Sequence, residues 1–181
     1  MLRVSILFLL SLLVLGCNSS NEETPVPEEQ VGDGDAVAFM NGEYWEANVE
    51  VEYPDDDYDK LSLVVFREER PGRFRHTLEL NGIEPMLGRQ VLLVNSGDWR
   101  DNSIYYILDV DAIFNVYDID GTATDNYIDI QRFDPASLEI EGTFNISLTS
   151  NFRDPATGEQ LEDLQFTQGE FTAKVEPGWF D

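Results

Sequence analysis

Phe39-Met40-Asn41-Gly42-Glu43-Tyr44-Trp45-Glu46-Ala47-Asn48-Val49-Glu50-Val51-Glu52-Tyr53 decides the fold class. Trp45, Ala47, Val49, Val51 and Tyr53 alternate with Glu46, Asn48, Glu50 and Glu52. That is the period of a strand with one buried and one wet face. Just ahead, Asn41-Gly42 stands between two apolar stretches, and this pair readily takes the positive φ of a two-residue hairpin turn. From about Ala36, the chain enters its folded part as a β-hairpin.

The same alphabet runs to the C-terminus. Strands are expected at Leu61–Arg67, Phe74–Leu80, Gln90–Val94, Ile104–Asp109, Asp111–Tyr117, Tyr127–Phe133, Leu138–Thr149 and Phe166–Val175. Arg70-Pro71-Gly72-Arg73, Asn81-Gly82, Asp120-Gly121, Asp134-Pro135 and Asp154-Pro155 supply turns between or after them. Ile140, Phe144, Ile146 and Leu148 share one face of a long strand, with Glu139, Glu141, Asn145 and Ser147 on the other. No long helical period occurs downstream of residue 17. The expectation is an all-β fold over residues 36–181: a single antiparallel domain of about ten strands, either a β-sandwich or a lipocalin-like up-and-down barrel. Closure is expected because ten strands in one open sheet would leave exposed edges and an unpacked face.

Residues 18–35 hold six acids, no base and two prolines. Such a segment buries too little to offset its ordering entropy and is expected to form a disordered acidic tether. Before it, Arg3 precedes an apolar run, Val4–Leu15, too short to span a bilayer as a helix. Residues 1–16 therefore read as a signal peptide. The closing Val14-Leu15-Gly16-Cys17 resembles a bacterial lipobox, which implies cleavage before Cys17 and acylation of its sulfur. Asn18 in place of aspartate, and the acidic pair Glu22-Glu23, resemble the signals of lipoproteins at the outer membrane or cell surface of a Gram-negative bacterium.

The mature chain would carry ten basic residues against 36 acids. That balance repels nucleic-acid phosphates and anionic headgroups, so nucleic acid is excluded as a partner and the membrane is met only through the lipid. Cys17 is the one cysteine, which rules out an intramolecular disulfide and thiolate metal clusters.

Three segments also carry a family resemblance: Ala38-Phe39-Met40-Asn41-Gly42-Glu43-Tyr44-Trp45-Glu46-Ala47, Ile140-Glu141-Gly142-Thr143-Phe144-Asn145-Ile146 and Phe166-Thr167-Gln168-Gly169-Glu170-Phe171. Together they resemble small Bacteroidetes-type β-rich envelope lipoproteins, with an early NG-x-x-W-x-A hairpin and late G-T-F and T-x-G-x-F strands. The resemblance implies a β-rich envelope lipoprotein of unknown function and brings no catalytic residues. Physically, Gly142 and Gly169 suit a bulge or a close approach.

No constellation carries chemistry of its own. His76, the one histidine, shares parity with Phe74, Leu78 and Leu80, so it reads as a packed, hydrogen-bonded core residue. No nucleophile elbow accompanies it. Asp118–Asp125 fails as an EF-hand, because aligning Gly121 puts Val116 and Tyr127 at ligand positions. Asp55, Asp56, Asp57 and Asp59 read as a solvated loop tip. No metal and no cofactor are implied.

Seven of the eleven basic residues fall within residues 60–100. Arg73 and Arg75 share a face opposite His76, where they could pair across strands with Glu46, Glu50 or Glu52, or form a partner-binding patch. Trp99, beside Arg100 in a turn-rich loop, could recognise a sugar or protein or fold back as a lid. Trp99, Arg100, Arg70, Arg73 and Arg75 are thus the candidate binding residues, for a protein or saccharide partner. The function expected is a non-catalytic binding or structural module. A carrier of a small apolar ligand, with Trp45, Phe74, Tyr106 and Phe144 inside the barrel, is the alternative; a secreted hydrolase is the third reading.

Overall fold

The Asn41-Gly42 hairpin forms between β1 (Asp35–Met40) and β2 (Glu43–Glu52), in register from Met40↔Glu43 to Asp35↔Asn48. Asn41 and Gly42 both take the left-handed conformation, with φ of 50° and 82°. This is the backbone a two-residue turn needs between twisted strands. The computed structural model describes residues 34–54, 59–70, 73–92, 97–109, 112–150, 152–153 and 157–176, with the backbone alone for Arg70, Arg73, Phe74 and Trp99. The expected signal peptide, Cys17, most of the tether, Asp55–Asp57 and the Asp154-Pro155 turn lie outside these residues.

Eight more strands follow: β3 (Leu61–Arg70), β4 (Arg73–Ile83), β5 (Gly88–Val91), β6 (Ile104–Asp109), β7 (Ala112–Ile119), β8 (Tyr127–Asp134), β9 (Glu139–Thr149) and β10 (Leu164–Glu176). They form one sheet that closes on itself through β1–β10. All pairings are antiparallel except a short parallel contact of β10 with the end of β2, Val175↔Val51 and Glu176↔Glu52. The ten strands make eight staves. Along the edge of β9, β7 pairs at Leu148–Thr149 and β8 at Glu139–Asn145, so β7 and β8 are one stave interrupted at 120–126. On its far edge this stave pairs with β6 and then β5, a second stave interrupted between them. The circuit is an up-and-down barrel, so of the two architectures open from sequence the barrel is the one formed.

Alternation fills it. In β2, Trp45, Ala47, Val49 and Val51 point in; in β9, Ile140, Phe144, Ile146 and Leu148 do. Among the described residues, Trp45, Tyr105, Phe144, Phe166 and Phe171 are the largest enclosed side chains. Two glycines make room for these rings. A Cβ on Gly169 would lie 2.6 Å from the Phe144 ring, and one on Gly142 would lie 2.8 Å from the Phe171 ring and 2.5 Å from the Asp129 carbonyl oxygen. The β9–β10 register shifts between Phe166 and Gly169, with Gln168 at φ 52°, so this stretch is a bulge.

Three expectations need correction. Asn81-Gly82 is not a turn that ends the strand but a bulge inside β4, where the pairing steps from Leu63↔Leu80 to Leu61↔Ile83. Its polar groups are taken up locally: the Asn81 N–H donates to Ser103 Oγ (2.9 Å) and Asn81 Nδ2 to the Asn102 carbonyl (2.8 Å). Tyr106 does not face the interior. Tyr105 does, as register partner of Leu78, while the Tyr106 hydroxyl donates to Glu79 Oε1 (2.7 Å) on the outer face. Arg75 cannot pair with Glu46, Glu50 or Glu52, because β3 lies between β4 and β2. Its neighbours across the ladders are Glu68 and Leu108.

Candidate ligand cup at the open end

The inward parity of β3 continues past its apolar residues. Leu61, Leu63 and Val65 are buried, and Arg67 and Glu69 carry the same phase beyond them. In β2, Glu43 stands in phase with Trp45; in β4, His76 stands in phase with Leu78 and Leu80. One end of the barrel is therefore rimmed by inward-phased polar residues. Met40, Glu43, Trp45, Arg67, Glu69 and His76 line a cavity of about 220 Å³ there.

Its floor is aromatic. Trp45 meets Phe166 edge-on with centroids 5.0 Å apart, Phe166 lies 5.7 Å from Tyr105, and Tyr105 meets Tyr117 edge-on at 5.6 Å. These four rings, from β2, β10, β6 and β7, close the interior below the cup.

A hydrogen-bond chain joins floor to rim. His76 Nδ1 lies 2.5 Å from the Tyr105 hydroxyl, and His76 Nε2 lies 3.1 Å from Glu69 Oε1. Burial, the largest influence, pushes the Tyr105 phenol well above its ordinary range, so the hydroxyl keeps its proton and can donate to Nδ1. A carboxylate can only accept, so Nε2 carries the ring proton and donates to Glu69. With a proton on Nε2, His76 donates to Glu69 and can accept from the Tyr105 hydroxyl, which satisfies all three groups. A second ring proton would leave two donors facing at Nδ1 unless the phenol turned to accept.

The arginines and Trp99 do not assemble into one site. Trp99 and Arg100 belong to a 3-10 turn, Trp99–Asp101, at the far end of the barrel beside the β4 bulge. Arg100 is folded back onto Asp98, with Nη2–Oδ2 of 2.7 Å, and Lys60 Nζ holds Asp101 at 3.0 Å. At the cup end, Arg75 places its guanidinium 4.0 Å over the Phe66 ring on the outer wall. Arg70 and Arg73 flank the β3–β4 turn, and only their backbone is described.

No match joins the chain to known proteins: no family model, no curated protein and no solved structure is similar to it. The cup is thus read from its own geometry. It was legible only as a pattern of phase: Arg67 and Glu69 extend the apolar series Leu61-Leu63-Val65, and charged residues in a core phase mark a strand running past the core to a mouth. Among the described residues, no group of three or more His, Cys, Asp or Glu could hold a metal ion, and no helix is long and apolar enough to cross a membrane.

Proposed function

We propose that this chain is a non-catalytic binding lipoprotein, anchored through acylated Cys17 at the outer membrane or surface of a Gram-negative cell. Its acidic tether holds out a barrel whose open end takes a small polar ligand. The observation that carries the binding reading is the cup, which places one guanidinium, two carboxylates, an imidazole and an indole edge around a space of about 220 Å³. Arg67 suits an anionic group, while Glu43 and Glu69 suit a cationic one, so a small zwitterion such as a free amino acid or betaine is the chemistry that fits. The Tyr105 hydroxyl lies sealed beneath the rim and holds its proton, which supports a binding role over a nucleophilic one.

The closed eight-stave barrel also supports the lipocalin-like alternative. The interior rings fill the space such a ligand would take, which favours the cup.

Calorimetric titration of glycine, glutamate, betaine and glucose into the full chain in detergent tests the cup. A zwitterion is expected to bind, with loss of about tenfold or more in affinity on Arg67→Ala and on Glu69→Ala. Zwitterion binding indifferent to both substitutions, or binding of only an apolar dye such as N-phenylnaphthylamine, would sink the reading. Labelling with radioactive palmitate tests the anchor separately: label is expected on the wild-type chain and absent from Cys17→Ala.

A further inference from the structure

The wall of the barrel is open on one side of the cup. β2 and β3 pair only from Glu52↔Ser62 to Asn48↔Phe66. Beyond that point both remain strands held on their other edges, β2 by β1 through residue 43 and β3 by β4 through residue 70. The β2–β3 ladder has no register pair at 45–47 and 67–69. The Val49 N–H donates to the Gly34 carbonyl (2.8 Å), so odd-numbered backbone groups of β2 face β1 and those of Glu46 and Asn48 face β3. Had the ladder continued past Asn48↔Phe66, Glu46 and Glu68 would be its next hydrogen-bonded pair.

The sequence explains why it stops. Glu46 and Glu68 would stand directly opposite on the outer face, and like charges so placed are destabilising. Asp35, register partner of Asn48, adds a third carboxylate to the groove. Arg75, across the ladder from Glu68, is stacked over Phe66. The result is a groove of about 670 Å³ lined by Asp35, Glu46, Asn48, Phe66 and Glu68, among others, with Arg67 shared between it and the cup.

We infer that this seam is a strand-addition site for an extended, basic peptide segment of a partner protein. Backbone groups of the entering strand would pair with the two open edges, its lysines or arginines would meet Glu46, Glu68 and Asp35, and an apolar residue would lie against Phe66. The open stretch of β2 spans residues 45–47, about 10 Å of extended chain, which suits a short linear motif. The chain's own tether carries acids and no base, so the groove repels it.

The test is fluorescence anisotropy on the full chain in detergent at about 0.15 M salt, where the Debye length is only about 8 Å. The probe is an acetylated, amidated heptapeptide alternating lysine and valine. It is expected to bind, while its glutamate–valine counterpart, and a version with proline at the inner valines, bind about tenfold or more weaker. Glu46→Lys alone sets a lysine opposite Glu68, so it is expected to close the ladder. Hydrogen exchange at the Glu46 and Glu68 amides then slows and the basic probe loses about tenfold. Glu46→Lys with Glu68→Lys reopens the seam with inverted charge and turns preference to the glutamate peptide. Glu84→Lys with Glu176→Lys, an equal charge change at the opposite end of the barrel, past the end of β4 and at the end of β10, leaves the basic probe within about twofold. Equal losses from the seam and remote pairs, or equal binding of the proline peptide, would overturn the inference in favour of diffuse attraction. Glu69 lies in the cup and not among the groove residues, so Glu69→Ala disables the cup and leaves peptide binding intact, and failure of one site is told from failure of the other.

Discussion

Tyr105→Phe removes one oxygen from the chain that runs Tyr105–His76–Glu69, and its effect follows from burial. Tyr105 is 1% exposed and its hydroxyl lies 2.5 Å from Nδ1, so water cannot take its place as donor. A buried acceptor left without its partner costs about 1–3 kcal/mol. The His76 side chain retains 15% of its exposure, which places the expected loss at the lower part of that range, about 1–2 kcal/mol. The other end of the chain behaves differently. Glu69 is 54% exposed, so its bond to Nε2 competes with water and Glu69→Gln is expected to cost about 0–1 kcal/mol. Urea unfolding followed by tryptophan fluorescence reads both. With a slope of about 2 kcal/mol/M, Tyr105→Phe moves the midpoint down by roughly 0.5–1 M and Glu69→Gln by clearly less. Ring nitrogen NMR adds a second readout, since loss of the phenol donor shifts Nδ1 while Nε2 keeps its proton. A midpoint for Glu69→Gln as low as that of Tyr105→Phe would refute the assignment of Tyr105 as the buried donor.

Three further outcomes are expected. Gly169→Ala forces a methyl against the enclosed Phe144 ring and is expected to cost about 1–3 kcal/mol, with part of that recovered in the Phe144→Leu background. In alkali, Tyr105, Tyr106 and Tyr117 ionise late, each chiefly because burial disfavours the phenolate, with Tyr106 pushed up to about 12. The unfolded chain loses these protons first, so stability is untouched below about pH 10 and falls as pH rises from there toward 12; absorbance at 295 nm checks the order. In acid, Asp98, Asp120 and Asp134 are held below the carboxylate range, chiefly by hydrogen bonds from the Arg100 side chain, the Thr122 side chain and the Ala136 N–H. Their contribution is present above about pH 4 and is lost as pH falls through their depressed values, so Asp→Asn substitutions flatten the acid limb of a pH–stability curve.

Strands were readable wherever polarity alternated. β2 and β9 declare their inner faces residue by residue, and both are buried in that phase. β6 does not: Ile104-Tyr105-Tyr106-Ile107 has no contrast between faces, and only the register of Tyr105 opposite Leu78 settles which tyrosine points in. Asn81-Gly82 misled because the dipeptide that makes a hairpin also makes a bulge; what separates the two is the surroundings of Asn81, supplied by residues 102 and 103 from a distant loop. The cup was hidden for a related reason. Arg67 and Glu69 look like a solvated strand end until β4 and β2 bring His76 and Glu43 alongside. The seam depends on Glu46 and Glu68 being level, a register set by pairs further along β2 and β3. Local pattern gives the period of each strand, while alignment between strands is a property of the closed circuit.

Closing the circuit through its first and last strands has a kinetic consequence. Asp35 and Thr172, 137 positions apart, are register partners, and β10 must thread between β1 and β9 to complete the wall. Such non-local pairing belongs to slow folders, on the order of milliseconds to seconds, since loop closure precedes the contacts that reward it. A circular permutant joining residue 176 to residue 34 would make that pairing local, and opening it at the 120–126 interruption would break no ladder. Faster refolding of such a permutant, with the native wall retained, is what this topology implies.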